Sequence, residues 1–425
     1  MLKEFHVKNF LSFHDEAVFS MEALPSTKIS EFPEHVISVG DQRVLKLASF
    51  YGPNGGGKSN LLKAIRLVQS VILGKTIPMD TYSARGTFYF SFAPSQAPSF
   101  SIFFATLEGE IGYHLEVGFG KDVSENSFRP SALPHIEKEE MTFREKGREE
   151  WVEVFARDES GVVSSEVLPS IDLIASRRSL QGNATFLGYA GSSLAGGPEE
   201  SIYLKAVLSL HREIASIYFF DTVNIAGMTL GNPDDEKEMG LVEALLKGLT
   251  TFLGRAGIPV DHIALERVNQ FQSELVFYRY LEDGTIGAIP FNMESSGTKK
   301  LAAFYLSIHN RKDANIILCD DFDATLHPAL ISSILKYFGS GENKARQLII
   351  NSHDIFNMTN AHFRRDEIWF ACRDKRYQTA LTSLSDIVNY EGKPVRKDAK
   401  YGKQYAEGLY GADPFIEKGV LRFDE

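Results

Sequence analysis

The hydrophobic pattern in the first third of the chain predicts a buried strand followed closely by an amphipathic helix. Residues 44–50 form a nearly continuous apolar run, as in a strand that is covered on both faces. After a glycine-rich loop, apolar residues recur at helical spacing. The apolar positions of the predicted helix are Leu61, Leu62, Ile65, Val68 and Ile72.

The following part of the chain alternates between apolar and polar positions, which is typical of antiparallel strands. The tripeptide Glu108-Gly109-Glu110 is a hairpin signal between the first two of these strands. We therefore predict an antiparallel β lobe. Its strands are predicted at residues 99–107, 111–117, 151–155 and 161–167.

The middle of the chain is predicted to be helical. Apolar residues recur at helical spacing from Tyr203 to Ile214 and again from Leu241 to Leu249. A last hairpin, with strands at residues 275–281 and 286–290, leads into the C-terminal part.

Composition describes an ordinary soluble globular protein of 425 residues, with 43% hydrophobic and 24% charged residues. The formal net charge of −11 gives no overall attraction to nucleic acid or anionic lipid, so a nucleic-acid partner would need a local basic groove. We expect the two cysteines to be buried free thiols. Since the sequence shows neither a secretory segment nor a membrane span, we expect a cytoplasmic protein without a membrane partner.

The glycine-rich loop after the first buried strand carries the clearest chemistry. Residues 52–59 fit the pattern G-x-x-x-x-G-K-[ST], whose backbone N–H groups surround the phosphates of a nucleotide. Lys58 would reach the β- and γ-phosphates, and Ser59 would hold Mg²⁺. The alternative is a glycine-rich turn that precedes a lysine by chance, but the flanking strand and helix favour the nucleotide site. The predicted nucleotide-binding residues of this loop are Asn54, Gly55, Gly56, Gly57, Lys58, Ser59 and Asn60.

A second apolar run, residues 316–319, ends in Asp320 and Asp321. We predict that Asp320 holds Mg²⁺ together with Ser59 and that Asp321 polarises the attacking water. The alternative is a strand that simply ends in solvated acids.

A third, mostly apolar run, residues 347–350, leads to His353, a side chain that can hydrogen-bond a γ-phosphate and sense its loss. We count His353, Asp321 and Lys58 as the candidate catalytic residues. A capping or packing role is the alternative for the histidine.

Two serines and a glycine, Ser295, Ser296 and Gly297, stand at the start of another predicted helix. Alone they would indicate only a helix cap. Together with the other motifs they predict a second phosphate contact, because a helix N-terminus attracts anions.

The set of motifs and their order resemble the ABC-type ATPase heads of the SMC/RecF group. Residues 294–298 resemble the signature motif, Asp320-Asp321 the acidic pair, residues 323–327 the D-loop and His353 the switch histidine. The resemblance implies an α/β P-loop ABC-ATPase head with a mixed sheet, an antiparallel β lobe and an inserted helical region.

Three shorter segments resemble a bacterial subgroup of compact phage-exclusion ATPases of the RloA/AbiL type, which are usually encoded beside an effector. These segments are residues 9–13, 326–328 and 405–414.

The resemblance also implies a division of the chain. Residues 1–165 would form the N-terminal half of the head with the phosphate loop and the β lobe. Residues 166–270 would be a mainly helical insertion, and residues 271–425 would form the C-terminal half with the signature, the acidic strand and the switch histidine.

The function implied by the resemblance is an ATPase that uses ATP and Mg²⁺ as a conformational switch. Ser295 and Gly297 of one chain would cap the γ-phosphate bound by Lys58 of another, so that two ATP molecules join a homodimer or a higher oligomer. In anti-phage defence such a switch would control a toxin or nuclease effector. The alternative is a DNA-repair or recombination ATPase that clamps DNA.

Two departures from the family pattern affect the chemistry. The catalytic position, usually Glu, is Asp321, which is shorter by one carbon–carbon bond of about 1.5 Å. We therefore expect slow hydrolysis. The family's Q-loop glutamine has only a weak candidate, Gln96.

Overall fold

The computed structural model of the protein describes most of the chain. The described residues are 1–25, 32–75, 97–119, 134–158, 160–168, 184–193, 201–220, 236–269, 272–310, 314–389 and 392–411.

The described secondary structure alternates between strand-rich and helix-rich parts. The strands are β1 (Leu2–Lys8), β2 (Ala17–Ser20), β3 (Val36–Val39), β4 (Gln42–Leu45), β5 (Leu47–Tyr51), β6 (Ser99–Ala105), β7 (Gly109–Phe119), β8 (Pro134–Glu145), β9 (Val152–Arg157), β10 (Val163–Ser164), β11 (Ile217–Phe220), β12 (His262–Asn269), β13 (Gln272–Tyr280), β14 (Ile286–Pro290), β15 (Ile316–Cys319), β16 (Gln347–Asn351), β17 (Ile368–Arg373) and β18 (Thr379–Ser383). The helices are α1 (Lys58–Ile72), α2 (Phe186–Ser193), α3 (Ile202–Ala215), α4 (Glu236–Arg255), α5 (Ser296–Asn310), α6 (Pro328–Gly339) and α7 (Tyr401–Ala406).

A six-stranded mixed sheet forms the frame of the site, in the order β11-β15-β16-β5-β17-β18. All neighbouring pairs are parallel except β17 and β18, which are antiparallel. Every residue of β5, β15 and β16 is buried, as expected for parallel strands that are covered on both faces. Because the carboxyl ends of parallel strands meet at one edge, the loops after β5, β15 and β16 lie side by side.

The second large sheet is antiparallel and has seven strands, in the order β10-β9-β8-β7-β6-β1-β2. Its inner face shares one hydrophobic core with α1 and the mixed sheet. Within this core the rings of Phe19 and Phe50 lie 4.9 Å apart and join the two sheets. The predicted α/β fold, with a mixed sheet, an antiparallel β lobe and an additional helical region, is therefore confirmed.

The segment 166–270 contains α2, α3 and α4, but it also contributes two strands, β11 and β12. Strand β11 follows α3 after a single residue, Ser216, and pairs in parallel with β15. The hydrophobic pattern did not predict this edge strand because its four residues continue the apolar pattern of the preceding helix. The proposed domain boundaries at residues 165 and 270 stay a prediction.

A buried carboxylate ties the β lobe to the helical region. Glu139 on β8 accepts hydrogen bonds from the backbone N–H groups of Phe186 (2.7 Å) and Leu187 (2.9 Å) at the start of α2. It also accepts a hydrogen bond from the Tyr113 hydroxyl at 3.0 Å. Burial raises the pKa of Glu139, and these donors act in the opposite direction.

Both cysteines are free thiols, as expected, although only Cys319 is buried and Cys372 is half-buried. No helix in the described part of the chain is long and apolar enough to cross a membrane.

Candidate nucleotide-binding site

The phosphate loop connects β5 to α1 and is pressed against β17. A Cβ atom on Gly52 would lie 2.2 Å from the carbonyl oxygen of Ala371, so this position has no room for a side chain. Gly57, which precedes the first residue of α1, has a φ of 106°, a left-handed conformation that favours glycine. The sequence thus places glycine where β17 approaches and where α1 begins. Asn54 and Gly55 form the exposed rim of the loop, whereas Gly56 and Gly57 are buried.

Lys58 is buried at the start of α1, and its ammonium group is held by the loop itself. Its Nζ donates to the carbonyl oxygens of Gly52 (2.8 Å) and Pro53 (3.1 Å). Burial lowers the pKa of Lys58, and the carboxylates of Asp321 and Asp320 oppose that effect. The cation is therefore fixed beside the loop with acidic groups close enough to influence its charge.

Ser59 and Asp320 meet, although they are far apart in the sequence. The Ser59 hydroxyl donates to Asp320 Oδ1 at 3.0 Å. The same carboxylate oxygen accepts a hydrogen bond of 2.6 Å from the amide of Asn351, the last residue of the strand between β5 and β15. A hydroxyl beside a carboxylate fits Mg²⁺, which is typically bound through one or two carboxylates and substrate phosphates. The predicted magnesium pair thus lies together in the fold.

Asp321 and His353 lie at the same edge of the sheet. Asp321 Oδ1 is 4.0 Å from His353 Nε2, and both side chains are exposed. The backbone N–H of His353 donates to Asp323 Oδ2 at 2.9 Å, which ties the loop after β16 to the loop after β15. Asp321 has a φ of 46°, in the left-handed region. The two candidate catalytic residues can therefore face one reacting group from two adjacent loops.

The signature residues lie at the start of α5. The Ser295 hydroxyl accepts a hydrogen bond from the backbone N–H of Thr298 at 3.1 Å and thus caps the helix. Ser295 and Ser296 are exposed, and Gly297 is half-buried. A Cβ atom on Gly297 would lie 2.9 Å from the carbonyl oxygen of Thr325, so glycine is needed where this helix meets the D-loop.

Lys300 fixes the same helix to the loop after β15. Its buried Nζ donates to the carbonyl oxygens of Asp321 (2.6 Å) and Ala324 (3.0 Å). Within the described residues, no hydrogen bond or ion pair joins Ser295, Ser296 or Gly297 to the phosphate loop. Lys300 therefore joins the signature helix directly to the loop after β15.

A chain of polar side chains behind the phosphate loop was not predicted as part of the site. The Asn60 amide donates to the Ser12 hydroxyl at 2.7 Å, and the hydroxyls of Ser12 and Thr379 lie 2.6 Å apart. The Thr379 hydroxyl donates to the carbonyl oxygen of Gly56 at 2.9 Å. Since that carbonyl can only accept, Ser12 donates to Thr379. The side chain of Asn60, predicted to bind nucleotide, thus faces the N-terminal segment.

Two further residues of the site were missed as site residues by sequence reasoning. Asn351 ends an apolar strand and could have been noticed there, but its partner Asp320 belongs to another part of the chain. Asp323 was included only in the D-loop resemblance, with no role of its own. The Q-loop candidate Gln96 lies outside the described residues.

A family model described as "AAA domain, putative AbiEii toxin, Type IV TA system" matches residues 47–358, which include the phosphate loop, the signature, the acidic pair and His353. No curated protein matches the sequence.

Three solved structures that resemble the chain are SMC head domains. One, an SmcHead bound to the C-winged helix domain of ScpA, is 15% identical over 92% of this chain and 98% of its own, with a TM-score of 0.47. The SMC head domain from Thermotoga maritima is 14% identical over 90% of this chain and 98% of its own, with a TM-score of 0.40. The third is an Smc head with an extended coiled coil, bound to the C-terminal domain of ScpA, derived from Pyrococcus furiosus. It is 14% identical over 90% of this chain and 96% of its own, with a TM-score of 0.43.

Proposed function

Because the chain belongs to the family described as "AAA domain, putative AbiEii toxin, Type IV TA system", we propose that it binds and hydrolyses ATP as a conformational switch. Family membership confirms the predicted resemblance to ABC-type ATPases of the SMC/RecF-like group. The observation that carries the proposal is the contact between Ser59 and Asp320, which brings the phosphate loop and the acidic strand together at one sheet edge.

The phosphate loop supplies binding and charge. The backbone N–H groups at the start of α1, with the helix dipole, favour the phosphates of ATP, and the buried Lys58 adds a full positive charge. Ser59 and Asp320 would hold Mg²⁺, which would neutralise charge that develops on the transferred phosphate.

Asp321 and His353 are proposed to act on the attacking water. The Asp321 carboxylate would accept a proton from the water, while His353 would donate a hydrogen bond to the γ-phosphate. The aspartate's short side chain supports slow hydrolysis and a long-lived ATP-bound state.

We propose that the second half of the site comes from another copy of the chain. The exposed serines of the signature start a helix whose N-terminus favours an anion, and no hydrogen bond or ion pair among the described residues joins them to their own phosphate loop. A homodimer with two ATP molecules between its heads would bring the signature of each chain to the phosphate loop of the other, and hydrolysis would loosen it.

The family description links this family to toxin–antitoxin systems. It names a toxin and a toxin–antitoxin system, so we propose that the ATP state of this chain controls a toxin or nuclease in anti-phage defence within the cytoplasm. Expressing the effector candidate from the neighbouring gene with wild type or with Lys58→Ala would test this. Control of the effector by wild type and its loss with Lys58→Ala are expected, and identical growth with both chains would refute the proposal.

Asp321→Asn tests the proposed switch. The amide cannot accept the water's proton, so we expect kcat to fall by about 100-fold or more and an ATP-bound dimer to accumulate. Turnover and molar mass by light scattering, each with Mg²⁺ and ATP, are the measurements. Asp398→Asn, at an exposed aspartate paired with Arg396, is the matched control.

Two results would contradict the switch. Unchanged turnover of Asp321→Asn would show that water is activated elsewhere, and an ATP-independent molar mass would refute the nucleotide-held dimer. Salt-sensitive binding of duplex DNA by the wild type would instead favour the DNA-clamping alternative.

A further inference from the structure

The order of strands in the mixed sheet defines two flanks of the phosphate loop. Strand β5 lies between β16 on one side and β17 on the other. On the β16 side Ser59 meets Asp320, which marks the end of the site for Mg²⁺ and the terminal phosphates. A nucleotide whose γ-phosphate faces Asp320 must therefore direct its nucleoside toward β17 and β18.

The turn between β17 and β18 adjoins the phosphate loop on that flank. The Thr379 hydroxyl, at the start of β18, donates to the carbonyl oxygen of Gly56. Arg373, the last residue of β17, has its guanidinium Nη1 4.0 Å from where a Cβ atom of Gly55 would lie. The phosphate loop and this turn thus form one continuous rim.

Tyr377 is displayed at the tip of this turn. Its side chain is 73% exposed, an unusual exposure for a large ring beside a ligand site. It also has a φ of 63°, in the left-handed region that a bulky residue rarely adopts. Glycine would suit that backbone better, so a tyrosine at this position carries a conformational cost.

The turn that carries Tyr377 is internally braced. The Tyr377 backbone N–H donates to the carbonyl oxygen of Asp374 at 3.0 Å. The Asp374 carboxylate accepts hydrogen bonds from the backbone N–H groups of Arg376 (2.8 Å) and Gln378 (2.9 Å). The ring therefore projects from a fixed backbone, which lowers the entropy cost of stacking on a ligand.

We propose that this turn is the nucleoside side of the site: the Tyr377 ring stacks on the base, and the Arg373 guanidinium contacts the phosphate nearest the ribose. The inference rests on the proposed nucleotide binding and extends it to base recognition. Because stacking uses the face of a base and not its hydrogen-bonding edge, this contact favours purines over pyrimidines and separates ATP from GTP only weakly.

The test compares binding of ATP with binding of inorganic tripolyphosphate, each with Mg²⁺, by calorimetry. Tyr377→Ala should weaken ATP binding by about tenfold, since stacking on an aromatic side chain contributes on that order, and leave tripolyphosphate binding unchanged. Tyr377→Trp should retain ATP affinity. Arg373→Ala should weaken the binding of both ATP and tripolyphosphate. Tyr280→Ala, at a similarly exposed tyrosine on β13, is the matched control and should change the binding of neither ligand.

Tyr377→Gly separates recognition from folding. Because glycine accepts the left-handed backbone, this variant should unfold at the same or a higher temperature than wild type while losing the same ATP affinity as Tyr377→Ala. Equal ATP affinity in wild type and Tyr377→Ala, or an equal loss for ATP and tripolyphosphate, would overturn the inference and leave the proposed function standing. Failure of the wild type to bind either ATP or tripolyphosphate would overturn both this inference and the proposed function.

Discussion

Lys58 is a charged residue that the fold of the protein itself buries. Burial lowers its pKa, whereas the acidic residues around the loop favour its charged form. The ammonium is stabilised in the structure by two loop carbonyl oxygens, contacts that a phosphate would exchange for stronger charge-assisted ones.

Lys58→Ala is therefore expected to abolish ATP binding while leaving α1 folded, because alanine is a good helix former. Equilibrium binding of a fluorescent ATP analogue measures the loss, and circular dichroism checks the fold. Lys75→Ala, at an exposed lysine after the same helix, is the control. An affinity of Lys58→Ala equal to that of wild type would show that the phosphate loop does not bind the nucleotide.

The length of the Asp321 side chain gives a second prediction. Asp321→Glu adds one methylene and should raise kcat, by up to about 100-fold, since a misplacement near 1 Å can cost that much. Steady-state phosphate release measures the change, with Asp398→Glu as the control. An unchanged or lower kcat would show that the loop after β15 already places the aspartate correctly.

Between elements, the chain of hydroxyls through Ser12 and Thr379 connects the N-terminal segment, β18 and the phosphate loop. Thr379 is 323 residues from Gly56 in sequence, and its backbone N–H also donates to the carbonyl oxygen of Ser12 at 2.7 Å. These contacts fix the loop through the backbone carbonyl of Gly56.

Thr379→Val keeps the shape of the side chain but removes both hydroxyl contacts. We expect ATP binding to weaken by about five- to tenfold, because a hydrogen bond of this kind contributes about 1 kcal/mol. Thr382→Val, at an exposed threonine on the same strand, is the matched control for β-propensity. Equal binding by the two variants would show that the loop keeps its conformation without this contact.

The same elements show which parts of the site can be predicted from the sequence. Lys58, Asp320 and His353 could be proposed as site residues because each follows an apolar run, a local signal. The contacts of Thr379 and Asn351 could not be predicted, because their partners depend on which strands are neighbours in the sheet, and strand order is a long-range property. Strand β11 was missed for a local reason, since it is too short to change the pattern of the helix before it.

Across the molecule, the proposed ATP site has two halves, and no hydrogen bond or ion pair among the described residues joins the signature to the phosphate loop. The phosphate loop and Asp320 form one half, and the signature with the D-loop forms the other. Lys300 and the close contact at Gly297 make the second half a single rigid unit. With the two halves proposed to come from different chains, a two-fold interface would supply two such sites.

Mixing two inactive variants tests whether the site is shared between chains. Ser296→Glu adds a negative charge where the γ-phosphate of the partner is proposed to bind, and glutamate in the first turn of α5 suits the helix dipole, so the fold is retained. Lys58→Ala removes the other half. The Ser333→Glu variant, with a similar charge at an exposed serine on α6, is the control and should hydrolyse ATP normally.

Each variant alone should be inactive, and an equal mixture should recover up to about one quarter of wild-type turnover, because half of the dimers are mixed and each has one intact site. Replacing the Lys58→Ala chain by the double variant Lys58→Ala/Ser296→Glu should abolish this recovery. An inactive mixture of the two single variants, measured as phosphate release, would contradict a site shared between two chains.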